Sequence, residues 1–148
     1  RLLPGFSVRL RPQRHGISEA GQGGASKRVL IVEDDKNFGF VMKAEFEAAG
    51  FDAELAHDGV DGVLAFINGG FDFVLLDIKM PHLDGINALR IMKKIRPETA
   101  AITYSGNAGS GEMAESVKAG ALRCITKPFE LSQLTEEIRK YQARRGNG

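Results

Sequence analysis

FDFVLLD, residues 71–77, sets three large aliphatic side chains, Val74, Leu75 and Leu76, side by side between aromatic residues and an aspartate. A strand with one face in water alternates apolar and polar residues. A short run without alternation, closed by a polar residue, reads instead as a strand buried on both faces, as in a parallel sheet covered by helices. Outward from this run the same unit repeats. KRVLIV (27–32) is a second buried strand; Phe38, Val41, Met42, Phe46 and Ala49 then recur at helical spacing until Gly50 ends the helix. FDAELA (51–56) is a weaker strand expected at an edge, and DGVDGVLAFINGG (58–70) a helix closed by glycines. A third helix is expected from about Asp84 to Arg96, stopped by Pro97. AAITYS (100–105) and ALRCIT (121–126) are strands flanking a short helix, GEMAESVKAG, and Leu131, Leu134, Ile138 and Tyr141 stripe a last helix ending near Arg144. Five strands alternating with five helices give an α/β, doubly wound, five-stranded parallel sheet with right-handed crossovers.

At 148 residues the chain is one domain's worth of sequence, and its 20 basic and 19 acidic residues leave a net charge of +1. That balance does not suggest nucleic acid as a partner. No apolar run approaches the roughly 20 residues of a membrane span, so no membrane partner is expected. The single cysteine, Cys124, excludes an internal disulfide and fits a reducing, cytoplasmic location. Residues 1–26 carry Arg1, Arg9, Arg11 and Arg14 against Glu19 alone and close on GQGGAS, which reads as a basic, flexible leader or linker. The domain is expected over 27–145, with 146–148 as a tail. With so few residues after the last helix, no output domain is expected within this chain.

Parallel sheets of this type carry their sites at the carboxyl ends of the strands, near the point where strand order reverses. Those ends hold Glu33, Asp34 and Asp35 after strand one, Asp77 at the end of strand three, Ser105 at the end of strand four and Lys127 after strand five. Adjacent carboxylates repel and resist ionisation, so their crowding in VLIVEDDKN (29–37) implies a missing positive charge. Mg²⁺ takes one or two protein carboxylates and leaves positions for water and phosphate oxygens. Together with the Lys127 ammonium and the Ser105 hydroxyl it would hold a phosphoryl group in flight, and the Asp77 carboxylate would be the nucleophile that accepts it. Taken alone, Glu33, Asp34 and Asp35 equally suit the N-terminus of helix one, and Asp35 is expected to do only that. His57 and His82 lack partners at metal-ligand spacing and read as solvated loop residues.

IVEDD after strand one, LLDIKMPHLDG after strand three, SG after strand four and KPF after strand five, in that order, resemble the receiver domains of bacterial two-component response regulators. The resemblance covers about Lys27 to Tyr141 and implies a flavodoxin-like receiver fold. It implies that Asp77 accepts phosphate from a histidine kinase or phosphotransfer protein and that Asp34 ligates Mg²⁺ directly, with Glu33 acting through water and the Lys79 backbone carbonyl as a further ligand. Ser105 and Lys127 would contact the phosphoryl group, beside a cis Lys127–Pro128 bond. An unknown output protein would dock on the face of helix four, strand five and helix five. The chain departs from the family pattern in two ways: Cys124 stands where an aromatic residue is usual, and Lys79 and Asn107 stand two residues after the phosphoacceptor and two after the hydroxyl, positions that in the family modulate phosphoryl lifetime.

Other chemistries fit less well. GSGEMA (109–114) matches a dinucleotide-binding glycine pattern but follows strand four and lacks the ribose-binding acid. A haloacid-dehalogenase-like phosphatase would need an acid at position 79, which is lysine, and no phosphate-binding Gly-x-x-x-x-Gly-Lys loop occurs. The domain is therefore expected to be a phosphorylation-switched signalling module and not a metabolic enzyme, catalysing only its own phosphoryl transfer and dephosphorylation. The alternatives are a receiver segment cut from a larger hybrid histidine kinase or regulator, and an unswitched Mg²⁺-binding docking domain.

Overall fold

The computed structural model describes residues 27–107 and 109–147; the expected leader, 1–26, lies outside the described residues. The chain runs β1 (Arg28–Val32), α1 (Lys36–Ala48), β2 (Asp52–Ala56), α2 (Gly59–Asn68), β3 (Phe73–Asp77), α3 (Gly85–Ile95), β4 (Ala100–Ser105), α4 (Ser110–Lys118), β5 (Arg123–Thr126) and α5 (Leu131–Asn147). The strands form one parallel sheet in the order β2-β1-β3-β4-β5, which places the weakly apolar β2 at an edge, as its sequence suggests. α5 continues to Asn147, beyond the end near Arg144 that its apolar stripe indicates, and β5 ends at Thr126 as expected but begins at Arg123, two residues after Ala121.

Alternate residues of each strand feed two separate cores. Val29, Ile31, Phe73, Leu75, Ile102 and Tyr104 face α1 and α5, where they pack with Met42, Phe46, Leu134 and Ile138. Leu30, Val32, Val74, Leu76 and Ala101 face the other way, against Phe66, Leu89 and Met92. All five residues of β3 are buried, because the strand is central and covered on both sides.

Three helices begin on an aspartate whose side chain accepts a backbone N–H of the first turn: Asp35 from Phe38, Asp58 from Asp61 and Asp84 from Asn87, at 3.1, 2.7 and 2.8 Å. Each such cap is worth about 1 kcal/mol. α4 lacks one: its N-cap is Gly109, and Ser116 is its only fully buried residue. A hydroxyl pair between Ser116 and Thr103 and a small cluster of Cys124, Ile78 and Ile86 with Met113 and Ala119 tie it to the sheet. Among the described residues, no helix is long and apolar enough to cross a membrane.

Candidate functional site

The carboxyl ends of β1, β3 and β4 and the turn after β5 meet at one rim, where the order of strands reverses between β1 and β3. Val32 is level with Leu76 and Asp77 with Tyr104. One step beyond Val32, Glu33 therefore joins Asp77 and Tyr104 in a row across three neighbouring strands, all three on the face that α1 and α5 cover. Asp34 follows as an exposed residue, and carboxylate oxygens of Glu33, Asp34 and Asp77 all lie within 4.8 Å of one another. Three hard oxygen donors at that separation suit a divalent cation such as Mg²⁺. Among the described residues this is the one cluster of acids, histidines or cysteines that could hold a metal. His57 and His82 take no part in it and are exposed.

The crowded acidic run thus divides into three tasks. Asp35 caps α1. Asp34 faces solvent. Glu33 is 1% exposed, and both its oxygens are held: Oε1 accepts from the Tyr104 hydroxyl at 2.7 Å, and Oε2 from the Asp35 backbone N–H at 3.0 Å. Asp77, also buried, accepts the Lys79 N–H on Oδ1 at 3.3 Å. The Lys127 Nζ lies 3.8 Å from Asp77 Oδ2 and 3.9 Å from Glu33 Oε1. Those separations give Coulombic attraction but exceed hydrogen-bond length, so the ammonium is shared and fully committed to neither carboxylate. Burial, and after it the charge of Glu33, raise the Asp77 carboxyl from an ordinary 3.8 to about 7, against the opposing pull of Lys127 and the Lys79 N–H. The Tyr104 hydroxyl is pushed above its usual range by burial and by the same Glu33 charge.

Lys127 is further placed by aromatic faces, 4.8 Å above the centroid of Phe38 and 5.5 Å from that of Tyr104. The Lys127–Pro128 peptide bond that follows is cis, as the resemblance implies. Ser105 ends β4 fully buried, its Oγ accepting the Asn107 N–H at 3.2 Å. Lys79 stands in the loop after β3, its exposed ammonium 3.3 Å from Glu112 of α4. Gly85, the first residue of α3, packs so closely under the acceptor that a Cβ there would sit 2.2 Å from the Asp77 carbonyl oxygen.

Each candidate site residue that the sequence singles out lies at this rim. Sequence reading does not reach Tyr104 or Phe38 as site residues. Tyr104 looks like one more apolar position of a buried strand; only its register opposite Asp77 brings the hydroxyl to Glu33.

A family model for the response regulator receiver domain matches residues 29–139. The chain is 34% identical over 120 residues to an uncharacterized transcriptional regulatory protein, YkoG, of Bacillus subtilis, covering 81% of this chain and 52% of that protein. It is 33% identical over 111 residues to the transcriptional regulatory protein RprY of Bacteroides fragilis, covering 75% of this chain and 47% of that one. The chain thus spans about half the length of these relatives. The crystal structure of a CheY-like response regulator receiver domain protein from Methanospirillum hungatei superposes with a TM-score of 0.79 at 31% identity, over 84% of this chain and 100% of that one.

Proposed function

The chain belongs to the response regulator receiver domain family, and from that premise we propose that it is a phosphorylation-switched signalling domain whose acceptor is Asp77. A carboxylate oxygen of Asp77 attacks the phosphorus of a phosphohistidine on a kinase or phosphotransfer protein; the P–N bond breaks, an acyl phosphate forms, and the released imidazole takes a proton from solvent. Glu33, Asp34, Asp77 and the Lys79 carbonyl would hold Mg²⁺, which when bound supplies positive charge for the oxygens of the phosphoryl group. Lys127 moves from sharing two carboxylates to pairing with a phosphoryl oxygen, and the Ser105 hydroxyl donates to another.

The single observation behind this reading is the clustering of Asp77 with Glu33 and Asp34, oxygens within 4.8 Å, and Lys127 at 3.8 Å. Three acids and one shared ammonium leave an excess of negative charge that a divalent cation and then a phosphoryl group would order. The product of the transfer is a conformational state and not a released metabolite. The face of α4, β5 and α5 is proposed to carry that state to an output protein. With Cys124 too small to swing a ring across the sheet, the change passes through the segment after Ser105 and the weakly anchored α4.

Mass spectrometry after incubation with acetyl phosphate tests the reading. One phosphoryl group is expected on the wild type with Mg²⁺, and none with EDTA or in Asp77→Asn. Mg²⁺ binding without phosphate uptake would instead favour an unswitched docking domain, and acid-labile phosphate on Asp77→Asn would place the acceptor elsewhere.

A further inference from the structure

Tyr104 is a buried phenol whose ring is already accounted for by packing. It meets Phe38 edge-on at 6.3 Å and Phe129 at 5.4 Å, and it is fully enclosed in the core between the sheet and α1. Phenylalanine would satisfy all of those contacts. The hydroxyl is the surplus, and its acceptor is the Glu33 carboxylate, with the Met42 Sδ at 3.5 Å as its other neighbour.

Glutamate reaches the metal cluster on a longer and looser arm than aspartate, and ordering such a side chain costs rotamer freedom. Here that freedom is already removed. The Tyr104 hydroxyl and the Asp35 N–H donate to different oxygens of Glu33, fixing the carboxylate plane, while each oxygen keeps a further lone pair for an ion or for its water. Without the hydroxyl, Oε1 is free to close the 3.9 Å gap to Lys127, which would draw both groups away from the cluster.

Resting on the assignment of Glu33, Asp34 and Asp77 as a Mg²⁺ site, we propose that Tyr104 is a positioning residue for that site, its hydroxyl holding the Glu33 carboxylate in the orientation that receives the ion or its bound water. Partners that orient metal ligands from behind typically change affinity by about 10–100-fold when removed. With Asp34 and Asp77 intact, the lower end of that range is expected.

The test is calorimetric titration of the full chain with Mg²⁺ alone, in wild type, Tyr104→Phe, Glu33→Gln and the double variant. Tyr104→Phe keeps the ring contacts and should bind about 10-fold more weakly. The double variant should be no weaker than Glu33→Gln, because a hydroxyl that acts through Glu33 has nothing left to position. Met42→Leu, which removes the hydroxyl's other neighbour, should bind as wild type does. A second measurement needs no variant: Tyr104 and Tyr141 are the two tyrosines of the chain, so ¹³Cζ-labelled tyrosine gives two signals. That of Tyr104 should move in step with Mg²⁺ saturation and that of Tyr141 should not. Wild-type affinity in Tyr104→Phe, additive losses in the double variant, or a silent Tyr104 signal at saturation overturns the proposal. A wild type that takes up no Mg²⁺ overturns the metal site itself.

Discussion

Removing Mg²⁺ should make the stability of this domain fall as pH rises, and Asp77 should be the cause. Its carboxyl is held at about 7 in the fold against an ordinary 3.8, so between those values the folded chain binds a proton that the unfolded chain has lost. Stability then decreases with pH, by up to about 1.4 kcal/mol per pH unit. The effect is complete once the folded carboxyl has ionised. Between about pH 5 and about pH 8 the loss is therefore about 2–3 kcal/mol, a large share of the 5–15 kcal/mol typical of a domain. The physical source is a buried carboxylate beside the buried Glu33, with one ammonium shared between them at 3.8 and 3.9 Å. Urea unfolding in EDTA at the two pH values, in wild type and in Asp77→Asn, isolates the contribution, since every other titrating group is common to both. The wild type should lose stability that the variant keeps, so that Asp77→Asn becomes the more stable protein at high pH. Saturating Mg²⁺ should abolish the difference in slope, because the cation holds Asp77 ionised. Equal slopes in the two proteins, or a wild type that gains stability relative to the variant as pH rises, would refute the reasoning.

Three further outcomes are expected. Asp34→Ala should lose most Mg²⁺ affinity, whereas Asp35→Ala should keep it, since the N–H that holds Glu33 survives, and lose about 1 kcal/mol of stability with its cap; equal losses of affinity in a titration would show the acidic run to be misassigned. Gly85→Ala should cost about 1–3 kcal/mol in thermal unfolding, because its Cβ can be relieved only by moving the Asp77 backbone, and Mg²⁺ affinity should fall with it; a neutral variant would mean that the turn yields freely. Beryllofluoride with Mg²⁺ should change amide exchange chiefly within residues 106–120, to an extent altered in Cys124→Tyr, which should still be phosphorylated; a response confined to α1 or α2 would place the output face elsewhere.

The strand-helix alternation was legible because it rests on local periodicity. Val74, Leu75 and Leu76 announce a strand buried on both faces before any contact is known, and chirality rules then leave few ways to assemble five such units. The rim followed from the same logic: once the strands are parallel, Glu33, Asp34, Asp77, Ser105 and Lys127 must gather where the strands end. Asp35 was also readable, as a residue placed for a helix start.

What the sequence could not decide are matters of register and distance between residues far apart in the chain. That Glu33, Asp77 and Tyr104 stand in one row depends on how β1, β3 and β4 align, which no single strand encodes. That Lys127 lies over Phe38, and is shared between two acids and bound closely to neither, depends on the packing of α1 against the sheet. The raised proton affinity of Asp77 is a property of its enclosure: a carboxylate at the end of a strand titrates normally in water, and only the closed fold removes the water and brings a second carboxylate beside it. The sequence alone determined that Glu33, Asp34, Asp77, Ser105 and Lys127 meet at the rim; the tertiary structure added Tyr104 and Phe38 to them and decided the spacing, and electrostatic energy depends on distance and on the surrounding medium, neither of which a linear pattern contains.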